Sequence, residues 1–292
     1  MWLKVKLKSG RNDFDLYLYS MVSVVLSTYN QPIWLYLVLE GYACQTYTGF
    51  EIIVADDGSD DRTRHMIEGI RPLLPYSLKH VWHKDDGFRK CTILNKAIGV
   101  CSGDYIVFSD GDVIPRKDFL EQHMKYRKKG RFLSGGIVRL PASLSEKITA
   151  EVIRNGLCFD RDWLIANGLI HSFKNNKLTA HGFTEWFLNR FTPTKATWNG
   201  HNASGWTRDI LAVNGFDERM KYGGEDREFG ERLMRLGVRG RQIRYSAVAV
   251  HLDHGRAYVS REGIEENLRI RKENSKSGLI RTKNGITNYN LI

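Results

Sequence analysis

The sequence FSDGDVIP, residues 108–115, contains two carboxylates, Asp110 and Asp112, that are separated only by Gly111. Two interpretations fit this stretch. Asp-Gly is a common turn dipeptide, so the segment could be an ordinary loop after a strand. Alternatively, the two side chains offer the oxygen ligands that Mg²⁺ and Mn²⁺ prefer, leaving room for phosphate oxygens. The eight residues alone do not decide between these interpretations.

A second pair of acids, Glu225 and Asp226, follows Gly223 and Gly224 in the segment YGGEDREFGERLMRLG. The apolar residues after the pair are spaced by four and three, which predicts a helix that begins at the acids. Acidic residues in a first turn stabilise the helix dipole, and that role alone would account for them. A carboxylate here could also take a proton from a hydroxyl group, because the two glycines allow a ligand to approach the backbone closely.

Further polar candidates follow other predicted elements. Only one of Asp56 and Asp57, in ADDGSDD, can face a pocket if the strand alternates, and both could instead cap the next helix. Arg89 precedes the predicted helix that contains Asn95, and its guanidinium suits a diphosphate, although a surface salt bridge is an alternative. In HLDH, an imidazole beside a carboxylate site would favour Mn²⁺ over Mg²⁺.

The elements that position these residues follow a regular order. Apolar, β-branched runs alternate with helical stretches, which predicts βαβ units and an α/β fold with a mostly parallel sheet. Ligands bind beyond the carboxyl ends of the strands in such sheets. The segments STYN, DDGSDD and SDGD all lie at predicted strand ends. Farther along, FLSGGIVRLP predicts one more strand, and LSEKITAEVIRNGL has helical periodicity.

Composition excludes several classes of protein. The chain has 292 residues, 42% hydrophobic and 26% charged, as is typical of a folded soluble protein. The four cysteines form no CxxC pair, which predicts reduced thiols and a cytoplasmic location, and neither a membrane-spanning window nor a secretory signal is found. The net charge of +11 suits an acidic substrate, an anionic membrane face or nucleic acid, but no nucleic-acid-binding module is recognisable.

Five motifs follow one another along the chain: VSVVLSTYN, IIVADDGSDD, FRKCTILNKAI, GDYIVFSDGDVIP and NGFDERMKYGGEDREFGERLMRLG. Their order is that seen in family 2 glycosyltransferases with the GT-A fold, and the chain resembles that family over residues 22–256. The later motifs also resemble the carboxyl-terminal part of β-1,4-galactosyltransferases and of chondroitin-polymerase-type enzymes. The resemblance implies a Rossmann-like, mostly parallel central sheet flanked by helices, in a single fused globule.

The resemblance also implies roles for individual residues. Asp112 and His254 would hold Mn²⁺ (or Mg²⁺), whereas His251 falls where the galactosyltransferases carry a different residue. Asp226 would be the catalytic base, and Glu225 would hold acceptor or donor hydroxyls. Donor-binding residues would be Ser27, Tyr29, Asp57, Arg89, Asn95 and Asp110. Trp206 and Gly224, with the segment NGFDE, would shape the acceptor side, although Trp206 could equally belong to the core.

Four segments are expected. Residues 1–20 would be an extension or edge hairpin, residues 21–120 the nucleotide-sugar-binding half, residues 121–255 the acceptor-binding and catalytic half, and residues 256–292 a basic tail. The basic stretches 116–131 and 255–292 could rest on the anionic cytoplasmic face of a membrane or simply form a solvated charged surface.

The predicted function is that of a metal-dependent, inverting glycosyltransferase. It would move a hexose from a nucleotide diphosphate sugar, UDP-linked, to a glycan or lipid-linked glycan acceptor in bacterial surface polysaccharide or lipopolysaccharide synthesis. One rival is a nucleotidyltransferase, which shares strand-end aspartates but needs no base on the acceptor side. The other is a non-catalytic basic protein that binds glycans or membranes on a degenerate transferase fold. No nucleic-acid partner is expected.

Overall fold

The computed structural model describes residues 21–253, 255 and 260–286, and the predicted extension 1–20 lies outside them. Ten strands are described: β1 Val22–Thr28, β2 Phe50–Asp56, β3 Ser77–Trp82, β4 Tyr105–Asp110, β5 Val113–Pro115, β6 Arg131–Ser134, β7 Gly136–Arg139, β8 Ala203–Trp206, β9 Arg239–Gln242 and β10 Val248–His251.

Twelve α-helices accompany these strands in the described part of the chain: α1 Pro32–Ala43, α2 Asp61–Ile70, α3 Lys90–Gly99, α4 Phe119–Tyr126, α5 Ala142–Ser145, α6 Ala150–Arg154, α7 Arg161–Ala166, α8 Asn176–Thr179, α9 Gly182–Phe191, α10 Thr207–Ala212, α11 Glu225–Arg235 and α12 Arg261–Lys276. Among the described residues, no helix has the length and apolar character needed to cross a bilayer.

The central sheet has seven strands in the order β3-β2-β1-β4-β8-β6-β9. Strands β1 to β4 are mutually parallel where they pair, as the βαβ pattern predicts. All residues of β2 are buried, as are all but one of β1, since helices cover both faces of the sheet. This arrangement confirms the expected α/β fold and brings the polar ends of β1, β2 and β4 to one edge.

Strand β8 reverses direction and pairs antiparallel with β4 and with β6. In this register Ala203 lies opposite Phe108, near the carboxyl end of β4, whereas Trp206 lies opposite Tyr105, at its amino end. The loop that precedes β8 therefore reaches the ligand-facing edge of the sheet, and Trp206 is directed to the opposite edge. Because β8 comes from the second half of the chain, the two halves share one sheet.

The segment FLSGGIVRLP forms two strands rather than the single strand predicted from its sequence. The chain leaves the central sheet at Gly135, where a Cβ atom would collide with the side chain of Asn202. Strand β6 stays in the central sheet, and β7 joins a second sheet of order β5-β10-β7. In this small sheet His251 is paired with Val113 on one side and with Arg139 on the other.

The stretch LSEKITAEVIRNGL is also interrupted, because α5 ends at Ser145 and α6 begins only after Thr149. The Thr149 side chain caps α6 by accepting a hydrogen bond from the backbone N–H of Val152 (3.2 Å). Helical periodicity was correct here, but a new N-cap divides the helix.

The described part of the predicted basic tail, residues 260–286, packs against the fold. Its helix α12 is joined to α11 by an ion pair between Arg271 and Glu231 (2.5 Å). The side chain of Asn267 donates hydrogen bonds to the carbonyl oxygens of Lys221 (2.7 Å) and Gly223 (3.0 Å). The helix thus fixes the backbone just before Glu225.

Candidate active site

A cleft of about 840 Å³ opens at the carboxyl ends of β1, β2 and β4. Most of the side chains predicted as site residues from the sequence line it together. They are Ser27, Tyr29, Asp57, Arg89, Asp110, Asp112, Glu225 and Asp226. The predicted metal ligand His254 lies outside the described residues. The turn in FSDGDVIP lies in the cleft, with Asp110, Gly111 and Asp112 on its wall.

Of the two adjacent acids at the end of β2, only Asp57 lines the cleft. Its carboxylate accepts a hydrogen bond from the backbone N–H of Arg89 (3.0 Å) and lies 2.7 Å from Nε2 of His83. Asp56 instead bonds to His80 (2.9 Å) and is almost fully buried. Neither acid caps α2, because Asp60 does so through the N–H of Arg62. Burial raises the pKa of Asp57 despite these donors.

Asp110 forms a short ion pair with Lys90, whose Nζ lies 2.7 Å from Oδ1, and accepts a hydrogen bond from the Ser27 hydroxyl (2.5 Å). Burial alone would raise the pKa of Asp110, but the charge and the hydrogen bonds of these partners hold it well below its usual range. Lys90 remains protonated in spite of its burial, because Asp110, Asp226 and Glu225 raise its pKa. The negative charge of Asp110 is therefore balanced by the positive charge of Lys90 within the protein.

Asp112 lies in the same cleft, and its Oδ1 atom is 3.8 Å from Nε2 of His251. A metal ion about 2.1 Å from each ligand atom can bridge this separation. Mn²⁺ accepts both carboxylate oxygen and imidazole nitrogen as ligands. Among the described residues, no group of three or more His, Cys, Asp or Glu side chains could hold a metal ion. This donor set therefore leaves coordination positions for phosphate oxygens and water.

Glu225 and Asp226 begin α11, as predicted, after Gly223 and Gly224, which both have positive φ angles. The backbone N–H of Gly223 donates to Oε2 of Glu225 (2.8 Å). Burial and then the adjacent charge of Glu225 raise the pKa of Asp226 to about 7. Its Oδ1 atom is buried and accepts no hydrogen bond from the described residues. Such a carboxylate can accept a proton near neutral pH.

Two neighbouring residues that sequence reasoning missed, Gly200 and His201, complete this wall. A Cβ atom at Gly200 would come within 2.8 Å of both carboxylate oxygens of Asp226. Burial lowers the pKa of His201 to about 4, so its imidazole is neutral at pH 7. The loop is anchored by Asn202, which donates hydrogen bonds to the carbonyl oxygens of Gly136 and Ala247 (3.0 Å each).

The signals for these residues in the sequence were weak. The segment NGHN contains a glycine and a histidine at a turn, which is a common combination. Lys90 follows Arg89 directly, and nothing in the sequence indicates which of the two basic residues enters the site. In the structure Lys90 reaches Asp110, whereas the guanidinium of Arg89 forms an exposed ion pair with Asp86 (3.3 Å).

Asn95 does not reach the cleft, contrary to its assignment as a donor contact. Its side chain is fully buried and donates to the carbonyl oxygen of Phe216 (2.9 Å) and to Oε1 of Glu218 (2.8 Å). It also accepts a hydrogen bond from the N–H of Phe216 (2.8 Å). Asn95 therefore holds the NGFDE segment in place, and from that segment Glu218 lines the cleft.

Trp206 is also misplaced by the prediction, because the reversed strand β8 carries it to the amino end of β4. There it packs edge-on against Tyr105, with ring centroids 5.2 Å apart, and Arg127 lies over its ring. This packing corresponds to the core alternative. On the NGFDE segment, Asp217 likewise serves the fold through its ion pair with Arg219 (2.7 Å).

A second cavity, of about 860 Å³, adjoins the first and is lined by Gly224, Trp198 and Asn199 among others. Five residues line both cavities: Arg139, His201, Tyr222, Glu225 and Asp226. Tyr29 stands at the entrance of the first cavity, where its hydroxyl donates to Asp85 (2.9 Å). The two acids thus form the boundary between two adjoining spaces.

Comparison with known proteins identifies the family. The model described as Glycosyl transferase family 2 matches residues 23–195, more than half of the chain. The chain therefore belongs to glycosyl transferase family 2. It is 25% identical over 242 residues to a chondroitin synthase of Escherichia coli, a match that covers 79% of this chain and 34% of that protein.

A validoxylamine A glucosyltransferase of Streptomyces hygroscopicus subsp. jinggangensis is 27% identical over 241 residues, covering 75% of this chain and 52% of that protein. The chain thus spans about a third to a half of the length of these two relatives. The family membership agrees with the resemblance seen in the five motifs.

Solved structures share the fold. S. aureus TarS in complex with UDP-GlcNAc superposes with a TM-score of 0.58 at 18% identity, covering 92% of this chain and 69% of that chain. The mannosyltransferase PcManGT from Pyrobaculum calidifontis, in complex with GDP-Man and Mn²⁺, gives a TM-score of 0.56 at 19% identity, covering 87% and 61%. The fold is that of GT-A glycosyltransferases.

Proposed function

We propose that this protein is a metal-dependent, inverting glycosyltransferase that moves a hexose from a UDP-sugar to a glycan acceptor. The observation that carries the proposal is the position of Asp226, a carboxylate with a raised pKa at the boundary between two adjoining cavities. The cavity at the strand ends would hold the donor, and the second cavity would hold the acceptor. A base at their boundary can serve a reaction between the two substrates.

The donor would occupy the cleft with its nucleobase against Asp57 and Tyr29 and its ribose against Asp110. Asp57 is held by His83 and by the Arg89 backbone, and it lines the cleft. Lys90 and Arg89 supply positive charge near the diphosphate. TarS and PcManGT, which share the fold, are in complex with UDP-GlcNAc and GDP-Man, and this supports a nucleotide-sugar donor.

Asp112 and His251 would hold Mn²⁺, with His254 as a further ligand. When bound, the ion would supply Lewis-acid stabilisation of the negative charge on the departing diphosphate. Asp110 is a poorer ligand because Lys90 already neutralises it.

In the transfer step, Asp226 takes the proton from an acceptor hydroxyl as the oxygen bonds to the anomeric carbon. The bond between that carbon and the diphosphate oxygen breaks on the opposite face, so the configuration inverts. Glu225 holds acceptor or donor hydroxyls and raises the pKa of Asp226 by its charge. A pKa near the working pH is well suited to general-base catalysis.

We infer that the acceptor belongs to bacterial surface polysaccharide or lipopolysaccharide synthesis and that the protein works at the cytoplasmic face of a membrane. The exposed side chains of Lys125, Lys128 and Lys129 would contact anionic lipid. Co-sedimentation with vesicles that contain phosphatidylserine, and not with purely zwitterionic vesicles, is the expected result. Equal sedimentation with both would contradict the membrane contact.

The function itself is tested by following nucleoside diphosphate release from UDP- and GDP-sugars, with and without Mn²⁺. Release from a UDP-hexose that requires Mn²⁺ supports the proposal, whereas release of pyrophosphate would identify a nucleotidyltransferase. Asp112→Ala should abolish metal-dependent release. Asp226→Asn should retain UDP binding and lose transfer, and a loss of UDP binding would instead give Asp226 a structural role.

A further inference from the structure

Five basic side chains line the second cavity: Arg139, Lys174, Lys177, Arg227 and Arg244. All of them except Arg227 form a cluster, because burial and then the charges of Arg244, Lys174 and Arg139 lower the pKa of Lys177 to about 8. The ammonium group of Lys177 donates a hydrogen bond to the carbonyl oxygen of Ile137 (3.0 Å), which fixes it at the cavity wall.

Three carboxylates, Glu225, Asp226 and Asp253, line the same cavity. None of the four clustered residues forms an ion pair with an acid in the part of the chain that the structure describes, whereas several arginines elsewhere do. Arg116 pairs with Asp118 (2.6 Å), and Arg232 pairs with Glu228 (2.8 Å). Like charges gathered in a cavity repel one another and destabilise the fold, so a bound anion would be strongly favoured there.

The cluster shares its cavity with Asp226. Lys174 and Lys177 lie on the chain around α8, and Arg244 follows β9, so these three belong to the second cavity alone. Arg139 lies between the two cavities and lines both. A molecule with an anion at Lys174, Lys177 and Arg244 therefore occupies the space from which a hydroxyl reaches Asp226.

We propose that Lys174, Lys177 and Arg244 form a binding site for a phosphate or carboxylate group of the acceptor. The inference deepens the proposed function, on which it rests, by assigning the acceptor to the class of anionic glycans or glycolipids. Arginine can bind such a group through two parallel hydrogen bonds, and the two lysines add charge. The anion could belong to a sugar, as in a uronic acid or a sugar phosphate, or to a lipid diphosphate.

The test is equilibrium binding by calorimetry, which does not depend on turnover. Four probes separate the sources of the anion: phenyl β-glucoside, phenyl β-glucuronide, phenyl β-glucoside 6-phosphate and N-acetylglucosaminyl farnesyl diphosphate. We expect the wild-type protein to bind at least one anionic probe about tenfold more tightly than the neutral glucoside. Added NaCl should weaken that binding and leave the glucoside unaffected.

The variant K174Q/K177Q/R244Q should lose this preference and keep its affinity for UDP. The matched control R71Q/K147Q/K195Q removes the same number of charges, two lysines and one arginine, from exposed positions and should behave like the wild type. If the triple variant does not fold, the single variants K174Q and R244Q, checked by thermal unfolding, should each reduce the preference.

Equal binding of neutral and anionic probes by the wild-type protein would overturn the inference. So would an equal loss in the control variant, or a loss of UDP affinity in K174Q/K177Q/R244Q, which would assign the cluster to the donor. Nucleoside diphosphate release is measured separately. If the protein prefers the anionic probes but releases no nucleoside diphosphate, only the proposed function is contradicted. If it releases nucleoside diphosphate but binds neutral and anionic probes equally, only the anion site is contradicted.

Discussion

The carboxylate of Asp226 lies directly against the backbone at Gly200, where a Cβ atom would be 2.8 Å from both carboxylate oxygens. Gly200→Ala must therefore displace the acid. A displacement of about 1 Å at a catalytic group typically costs about 100-fold in rate. We expect Gly200→Ala to lower kcat for transfer by about this factor and to leave UDP affinity unchanged, measured by steady-state kinetics and calorimetry.

Gly69→Ala is the matched control for this substitution, because no atom lies within 4 Å of a Cβ atom at Gly69. It should leave both measurements unchanged. Wild-type kcat in Gly200→Ala would show that the carboxylate position is unimportant for the reaction.

The pH dependence of transfer should follow the ionisation of Asp226, because the base must be unprotonated to accept a proton. Its pKa is raised to about 7, so kcat/KM should increase about tenfold per pH unit below pH 7 and become constant above it. The measurement is kcat/KM between pH 5 and 9 (roughly the stable range of most folded proteins). A profile that is flat through pH 7 would contradict the assignment.

Substitutions of its neighbours should move this apparent pKa in opposite directions. The charge of Glu225 raises the pKa of Asp226, so Glu225→Gln should shift the rising limb of the profile to lower pH. The charge of Lys90 lowers the same pKa, so Lys90→Gln should shift the limb to higher pH. Shifts of the same sign in both variants would show that another group controls the profile.

Asp226 should also reduce the stability of the protein at high pH. Its pKa is about 7 in the folded protein against an ordinary value of 3.8, so the folded state binds more protons between these values. The free energy of unfolding therefore falls as the pH rises through this window. Asp226→Asn, which carries no charge, should raise Tm at pH 8 by about 2–4 °C, and the difference should shrink at pH 5. An equal Tm at pH 8 would exclude the raised pKa.

Asn95 provides a contrasting prediction, because its three hydrogen bonds serve the fold. Asn95→Ala should lower the free energy of unfolding by about 2 kcal/mol, since it leaves buried backbone groups of Phe216 without partners. Urea denaturation measures this effect. Trp206→Phe, which keeps an aromatic ring against Tyr105, should transfer sugar at the wild-type rate. Loss of transfer at full stability would restore Trp206 to the acceptor site.

The first half of the fold was predictable because local pattern and tertiary environment agree there. Strands β1, β2 and β4 are buried apolar runs, and their polar ends meet as the parallel topology requires. Asp57 and Asp110 could therefore be placed near one another from sequence alone. The start of α11 at Glu225 was likewise visible in the spacing of its apolar face.

The structure of the second half could not be predicted from the sequence, because it depends on pairing between strands that are distant in sequence. The reversal of β8 sends Trp206 away from the cleft and brings His201 into it, and no local signal encodes that direction. Whether Arg89 or Lys90 contacts Asp110 depends on how the start of α3 is oriented toward β4, which is set by the packing of the helix on the sheet. The exit of the chain from the sheet at Gly135 depends on Asn202, which is distant in sequence.

The contact between Asn267 and the backbone of Lys221 and Gly223 joins the turn before Glu225 to a helix that is encoded about 40 residues later. The ribosome releases first the strands β1, β2 and β4, at whose carboxyl ends Ser27, Asp57 and Asp112 lie. The turn before Glu225 gains its anchor only when α12 has emerged and docked. The framework of the donor cleft is thus encoded well before the helix that anchors the turn at the proposed base, so the nascent chain holds the residues of the cleft before this anchor exists.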